Sequence, residues 1–441
     1  MGLNTATFSQ RRRILRQKVE GGAILILSAT YVPRNYPAEV YPFHQDSTFR
    51  YYTGLNDLAD AALLISEDGT ETLFCTTPDP DDVIWTGPVP TNEELAAMAG
   101  IAHAADMSKL AASLTQHTLF VKPYDGHLAI RLSTLLGLSV TALAHHESVV
   151  LRRAIIDQRN HKTADEIAET EEAIGVTKLM LAAAETMNRE GVREADVLAA
   201  LMGPAIARER AQAFEPIVTV HGETLHNRGY ASTLTKGRML VIDCGAESPN
   251  GYCADLTRSF AVANVWDDRQ KAVYEAVALA QKAGIAETAR RGASQYDVHI
   301  AACRALAGAL ADMGLMRGDL DEAVKAGAHA LFMPHGIGHM LGLDAHDMEN
   351  LGDDVGYAPG TSRSTQFGLN ALRLARTLEP GFILTVEPGC YFIPELIDRW
   401  KAQRHLEAFI CYDEVEKFRN FGGIRIEDDV LITDTGSRVL G

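Results

Sequence analysis

What the chain has little of narrows the field first. No apolar run approaches the ~18–20 residues that a membrane span needs. Basic residues are outnumbered: 41 Lys and Arg against 58 Asp and Glu give a formal net charge of −17, and cations are massed only at Arg11-Arg12-Arg13. Such a balance argues against nucleic acid or an anionic membrane as a partner. Six cysteines, at 75, 244, 253, 303, 390 and 411, form no C-x-x-C pair, which suits buried reduced thiols. A secretory signal is not expected, because Glu20-Gly21-Gly22 separates the charged Arg11–Lys18 stretch from the strand-sized apolar Ala23–Leu27. Ala6 stands where myristoylation of Gly2 would want Ser or Thr. There is no low-complexity tract and no internal repeat. The expectation is a cytoplasmic protein.

At 441 residues the chain exceeds the ~250–300 at which one core stops growing, so two domains are expected. Ala23–Leu27, Phe49–Tyr52 and Leu119–Val121 read as strands, and Leu63–Ile65 and Thr72–Phe74 flank the hairpin signal Asp68-Gly69. Thr91-x-x-Glu94 is a capping box, and Leu128–Leu136 is helical. A polar passage near Val149–His161 ends this mixed α/β part, giving domains 1–158 and 159–441. The second opens with the capping box Thr163-x-x-Glu166 and carries helices over Lys271–Arg290 and Ser294–Met313. The class is α/β in the broad sense, with α+β character.

The second part is organised around Met239–Phe260, two alternating segments joined at Pro249-Asn250-Gly251. A hairpin folding about Pro249 would set Asp243 beside Asp255. Two adjacent carboxylates among apolar neighbours either sit at solvated strand ends or need a cation. Downstream, Met333–His346 holds His335, His339 and His346 in a glycine-rich segment. Phe382–Glu387 reads as a buried strand closed by a carboxylate, and Gly423–Ile432 puts Arg425 and Glu427 on one strand face, where an ion pair between them is the structural alternative to a site. Four strand-borne acids, Asp243, Asp255, Glu387 and Glu427, with one histidine make an oxygen-rich set. Two divalent cations would cancel their charge, and oxygen ligation with a single imidazole favours Mn²⁺ or a similar ion.

These motifs match a family. D-C-G-x₉-D-L-T-R, H-G-I-G-H, V-E-P-G and G-I-R-I-E-D-D resemble the pita-bread metallopeptidases, the group of methionine aminopeptidase, aminopeptidase P and prolidase, over residues ~160–441. Asp46–Leu55 resembles the N-terminal domain of the aminopeptidase P/prolidase branch. The resemblance implies that Asp243 binds one metal, that His339 and Glu387 bind the other, and that Asp255 and Glu427 bridge the two. It makes Glu387 also the proton shuttle for a metal-bridging hydroxide. His226 matches a histidine near the scissile carbonyl, His335 and His346 match histidines that bind substrate and steady the transition state, and Arg425 matches the arginine beside the bridging glutamate. The metals would be Mn²⁺, with Co²⁺ or Zn²⁺ also compatible. Asp243 and Asp255 stand one residue further apart than the family pattern, which is harmless only if the extra residue lies in the turn.

The long segments Glu349–Leu378 and Phe392–Asn420 resemble prolidases more than aminopeptidases P. In the matching prolidase loop an arginine at the position of Arg373 grips the carboxylate of a dipeptide. The implied activity is hydrolysis of Xaa-Pro dipeptides, small peptides being the partner. The alternatives are an aminopeptidase P acting on longer Xaa-Pro-Xaa peptides and a metal-free binding protein of the same fold. A homodimer is also implied, with Trp85-Thr-Gly-Pro88 lining the partner's site.

Overall fold

The computed structural model describes residues 2–441. The chain divides into two compact units, one running to Arg159 and including Met348–Asp354, the other made of Asn160–Asp347 and Val355–Gly441. Both mix helix and strand, as the sequence class requires. Among the described residues no single helix is long and apolar enough to cross a membrane.

The first unit is built on a four-stranded sheet in the order Ile24–Leu27, Ala62–Ile65, Glu71–Cys75, His103–Asp106. The middle two strands form the expected antiparallel hairpin around Asp68-Gly69, and His103–Asp106 joins parallel to Glu71–Cys75. Two expectations fail here. Phe49–Tyr52 is not a strand but part of the buried helix Ser47–Thr53. Its aromatics favour a strand by propensity alone, yet Asp46 Oδ1 accepts the Phe49 N–H at 2.8 Å as an N-cap, and Gly54 ends the helix at φ 71°. Capping outweighs side-chain preference. The Leu119–Val121 strand reduces to one bridge between Leu119 and Ile24.

In the second unit the long helices begin where capping boxes put them. Thr163, Asp267 and Ser294 cap Ala164–Glu185, Asp268–Thr288 and Gln295–Asp312. The first buries Ala173, Ile174, Met180 and Leu181 in one core with Leu240, Ile242 and Cys244 of the central strand, and Ile167 packs against its edge. Three short sheets hold the polar residues of interest. Met239–Cys244 lies between Ile217–Thr219 and Leu256–Ala261. Asp428–Thr433 lies between Ile383–Val386 and Gly436–Val439, and Gly389–Tyr391 pairs with Gly423–Arg425.

Two registers differ from expectation. Asp243 faces Thr257, not Asp255, because the hairpin turns one residue later, about Asn250. Asp255 is therefore the diagonal neighbour of Asp243 on the same face. The ladder keeps one register from Met239↔Ala261 to Glu247↔Cys253, so the extra residue sits in the turn beyond it. Gly423–Ile432 is two strands rather than one. The chain breaks at Ile426-Glu427, and each half joins a different sheet.

Candidate metal centre

Four chain segments converge on one buried polar cluster. Asp243 and Asp255 come from the central hairpin. His339 arrives because Met333–His346 lies along the Ile383–Val386 strand: Thr385 N–H donates to the His339 carbonyl at 3.0 Å, Leu341 N–H to Ile383 and Glu387 N–H to Ile337. Gly338 makes this approach possible, since a Cβ there would stand 2.0 Å from the Thr385 carbonyl oxygen. The strand ends as Glu387 begins, so Glu387 Oε1 comes 3.7 Å from His339 Nε2. Glu427 occupies the break between the two C-terminal strands.

Donor atoms of Asp255, His339 and Glu427 all lie within 4.8 Å of one another, and all three residues are buried. His339 Nε2 is 3.5 Å from Asp255 Oδ2. Its Nδ1 is 3.0 Å from the Met340 carbonyl, which can only accept. The ring proton therefore sits on Nδ1, and Nε2 presents its lone pair to the carboxylates, the tautomer a metal requires.

The acids are held in a strained electrostatic state. Burial, then Glu427 and Asp243, push Asp255 well above the usual carboxylate range. Burial, with Glu387 and Asp243, does the same to Glu427. Burial raises Glu387 to about 7 against the lowering effect of Arg425. Such crowding is relieved either by shared protons or by bound cations. Asp243 favours cations: its Oδ2 is taken by Arg425, but its Oδ1 is buried with no hydrogen-bond partner.

Arg425 organises the far side of the cluster. Nη2 donates to Asp243 Oδ2 at 2.6 Å, Nε to Thr257 Oγ1 at 3.2 Å and Nη1 to the Tyr391 hydroxyl at 3.0 Å. The expected same-face Arg425–Glu427 pair is replaced by a relay, because Thr257 Oγ1 in turn donates to Glu427 Oε2 at 2.6 Å. Burial opposes the charge of Arg425, but Tyr391 and Asp243 keep it firmly protonated.

The remaining histidines divide. His335 Nδ1 meets the Gly336 carbonyl at 2.7 Å, so Nε2 is the acceptor for the Tyr391 hydroxyl at 3.0 Å. Both its ring nitrogens are engaged, and burial and Arg425 push it down to about 4. His346 is exposed and packs its ring 4.2 Å from that of His339. Arg373 Nη1 lies 3.1 Å from His346 Nδ1. His226 is exposed, with its pKa lowered by partial burial, Arg425 and Arg373.

Four contributors went unread in the sequence. Thr257 and Tyr391 link Arg425 to the acids and to His335. Thr385 Oγ1 accepts the His339 N–H at 3.1 Å. Asp429 Oδ2 accepts the Asp255 N–H at 3.1 Å, and burial raises its pKa well above the usual range. Thr257 was recoverable, since it stands two residues beyond Asp255 on the same strand face.

Comparison with known proteins agrees with this geometry. Residues 168–434 match the model of metallopeptidase family M24, and residues 8–123 match the aminopeptidase P N-terminal domain. A human Xaa-Pro dipeptidase is 30% identical over 452 residues, covering 96% of this chain and 86% of its own. A probable Xaa-Pro aminopeptidase of Talaromyces marneffei is 32% identical over 410 residues, covering 90% and 84%. The solved structure of Pseudomonas aeruginosa aminopeptidase PepP superposes with a TM-score of 0.81 at 25% identity, covering 100% of this chain and 95% of that one.

Proposed function

The chain belongs to metallopeptidase family M24, with an aminopeptidase P-type N-terminal domain before a pita-bread catalytic domain, and from that premise we propose that it hydrolyses Xaa-Pro dipeptides. Membership implies divalent metal ions, and the residues fit them. Asp243 supplies an unpartnered buried oxygen, and Asp255, His339 and Glu427 supply converging donors. We assign Asp243 to one ion, His339 and Glu387 to the other, and Asp255 and Glu427 to both. The oxygen-rich set favours Mn²⁺. When bound, such ions cancel the charge of the four acids, lower the pKa of water and polarise a carbonyl.

The chain's own residues supply the rest. Arg425 neutralises Asp243 and, through Thr257, fixes the orientation of Glu427. Glu387, with a metal-free pKa raised to about 7, is suited to take and return a proton near neutral pH. His226 and His346, exposed beside the cluster, are placed to touch a bound peptide.

The observation that carries the dipeptidase reading is Arg373. The segment bearing it folds back so that its guanidinium reaches His346, and its field is felt at Glu387 and His226. Gly336 permits this, since a Cβ there would stand 2.9 Å from Leu372 Cα, and the Tyr357 hydroxyl anchors the Leu372 carbonyl at 2.7 Å. A guanidinium beside His346 would pair with a carboxylate ending the second residue and would find none in a longer peptide. Arg373→Ala should lower kcat/KM for Xaa-Pro by roughly 10- to 150-fold, from a charge-assisted bond contributing about 1.5–3 kcal/mol. A C-terminal amide on the substrate should cost the native enzyme about as much and the variant far less. Equal turnover of acid and amide by the native enzyme would favour the second reading, an aminopeptidase P, which the T. marneffei and P. aeruginosa relatives support. Homodimer assembly and a cytoplasmic site belong to the same proposal. None of the six cysteines forms a disulfide, in keeping with a reducing compartment, and light scattering tests the dimer.

A further inference from the structure

The dinuclear centre leaves unused a second group of donors in the catalytic unit. His299 and Cys303 stand four residues apart on the Gln295–Asp312 helix, so their side chains neighbour each other on one face. His329 comes from the short helical turn Ala328–Leu331. Both histidines and the cysteine are fully buried, at 0% exposure each. One donor atom from each lies within 4.8 Å of the other two, and His299 Nε2 is 3.4 Å from Cys303 Sγ.

Beyond that contact, much of the polar surface of the two rings is unpaired. His299 Nδ1 and both ring nitrogens of His329 have no hydrogen bond within normal geometry, the Val324 backbone being the one nearby group that favours a proton on His329. A buried unpaired polar nitrogen typically costs about 1–3 kcal/mol, and His329, with one ring nitrogen beside Cys303 and His299, calls for a compensating ligand. Burial drives His299 down to about 3 and His329 down to about 4, so both are neutral imidazoles with an available lone pair. The donor set contains no carboxylate. It differs in kind from the oxygen-rich centre.

We propose that His299, Cys303 and His329 form a separate N₂S site for one thiophilic cation, Cu⁺ or Zn²⁺. Thiolate with imidazole selects these ions over Mn²⁺ or Mg²⁺. On binding, the Cys303 S–H bond breaks, its proton passes to solvent and the sulfur–metal bond takes its place, with no change of oxidation state. A cation with one thiolate leaves a net charge of 0 for Cu⁺ and +1 for Zn²⁺, and a buried site disfavours residual charge. The site ties the helix to the turn that leads into Met333–His346. It does not depend on the dipeptidase reading.

Cobalt substitution separates this site from the other centre. Full-length protein reconstituted with Co²⁺ should show a thiolate-to-cobalt charge-transfer band, because the dinuclear set offers only oxygen and nitrogen. Cys303→Ser should abolish the band and lower bound metal by one equivalent, and His329→Gln should weaken or shift it. The double variant Asp255→Ala, Glu427→Ala should keep it. Displacement of the band by Cu⁺ or by Zn²⁺ then identifies the preferred ion. Should the Cys303 variant not fold, X-ray absorption of the Zn²⁺-loaded native protein should show a sulfur neighbour at about 2.3 Å. Absence of both band and sulfur neighbour in the native protein, or a band that survives Cys303→Ser, overturns the proposal.

Discussion

Removing one hydroxyl should loosen the metals without touching a proposed ligand. Thr257 is fully buried opposite Asp243, donates to Glu427 at 2.6 Å and accepts from Arg425 Nε at 3.2 Å. Thr257→Val keeps the shape and deletes both bonds. The bond to the carboxylate contributes about 1.5–3 kcal/mol, and leaving the buried Nε without an acceptor adds about 1–3 kcal/mol. Glu427 would then be free to rotate away from Asp255 and His339. Loss of a partner that orients a ligand typically weakens metal affinity about 10- to 100-fold. Competition with a chelator measures this affinity, and thermal unfolding of the metal-free protein measures the stability. Thr257→Ser retains the hydroxyl and should recover most of both. Native metal affinity and native stability in Thr257→Val would refute the relay from Arg425 to Glu427.

Two further outcomes follow from the same cluster. Asp255→Ala or Glu427→Ala should cost both metal equivalents, because each is assigned to both ions, whereas Asp243→Ala should leave one; elemental analysis after reconstitution decides. The acids should make the metal-free protein lose stability as pH rises from the ordinary carboxylate range (about 4) toward their raised folded values, and the metal-loaded protein should not. The sign follows from Asp255, Glu427 and Asp429, whose folded pKa values are raised, so the folded state binds more protons than the unfolded chain in that range. Buried histidines such as His335 titrate in the unfolded state around pH 6.5 and oppose this only below it. Urea unfolding of the chelated protein across pH 6.5–9 checks it, and a flat or rising curve would contradict the crowding of acids.

Much of this was legible in the residues, for identifiable reasons. Capping boxes at Thr91 and Thr163 are local signals, and each helix starts where its cap stands. The acids and His339 were legible because charge in an apolar strand is itself anomalous. Phe49–Tyr52 is helical against its strand propensity because Asp46 and Gly54, which bracket it, cap and end a helix. The hairpin register misled because Pro249 and Asn250 are equally good turn centres, and one residue decides whether Asp243 faces Asp255 or Thr257. Tyr391 was out of reach. It meets Arg425 and His335 across two elements, at 34 and 56 residues' separation, and no local pattern carries that information. The His299–Cys303–His329 group was hidden likewise, its third member lying on a different element.

Arg373 is proposed to make this metallopeptidase a dipeptidase. Hydrolysis of an Xaa-Pro dipeptide beside the matching Xaa-Pro-Xaa tripeptide, with the Mn²⁺-loaded protein, tests it most directly. Rapid cleavage of the dipeptide and little release of the first residue from the tripeptide are expected. Cleavage of the tripeptide as fast as the dipeptide would contradict it.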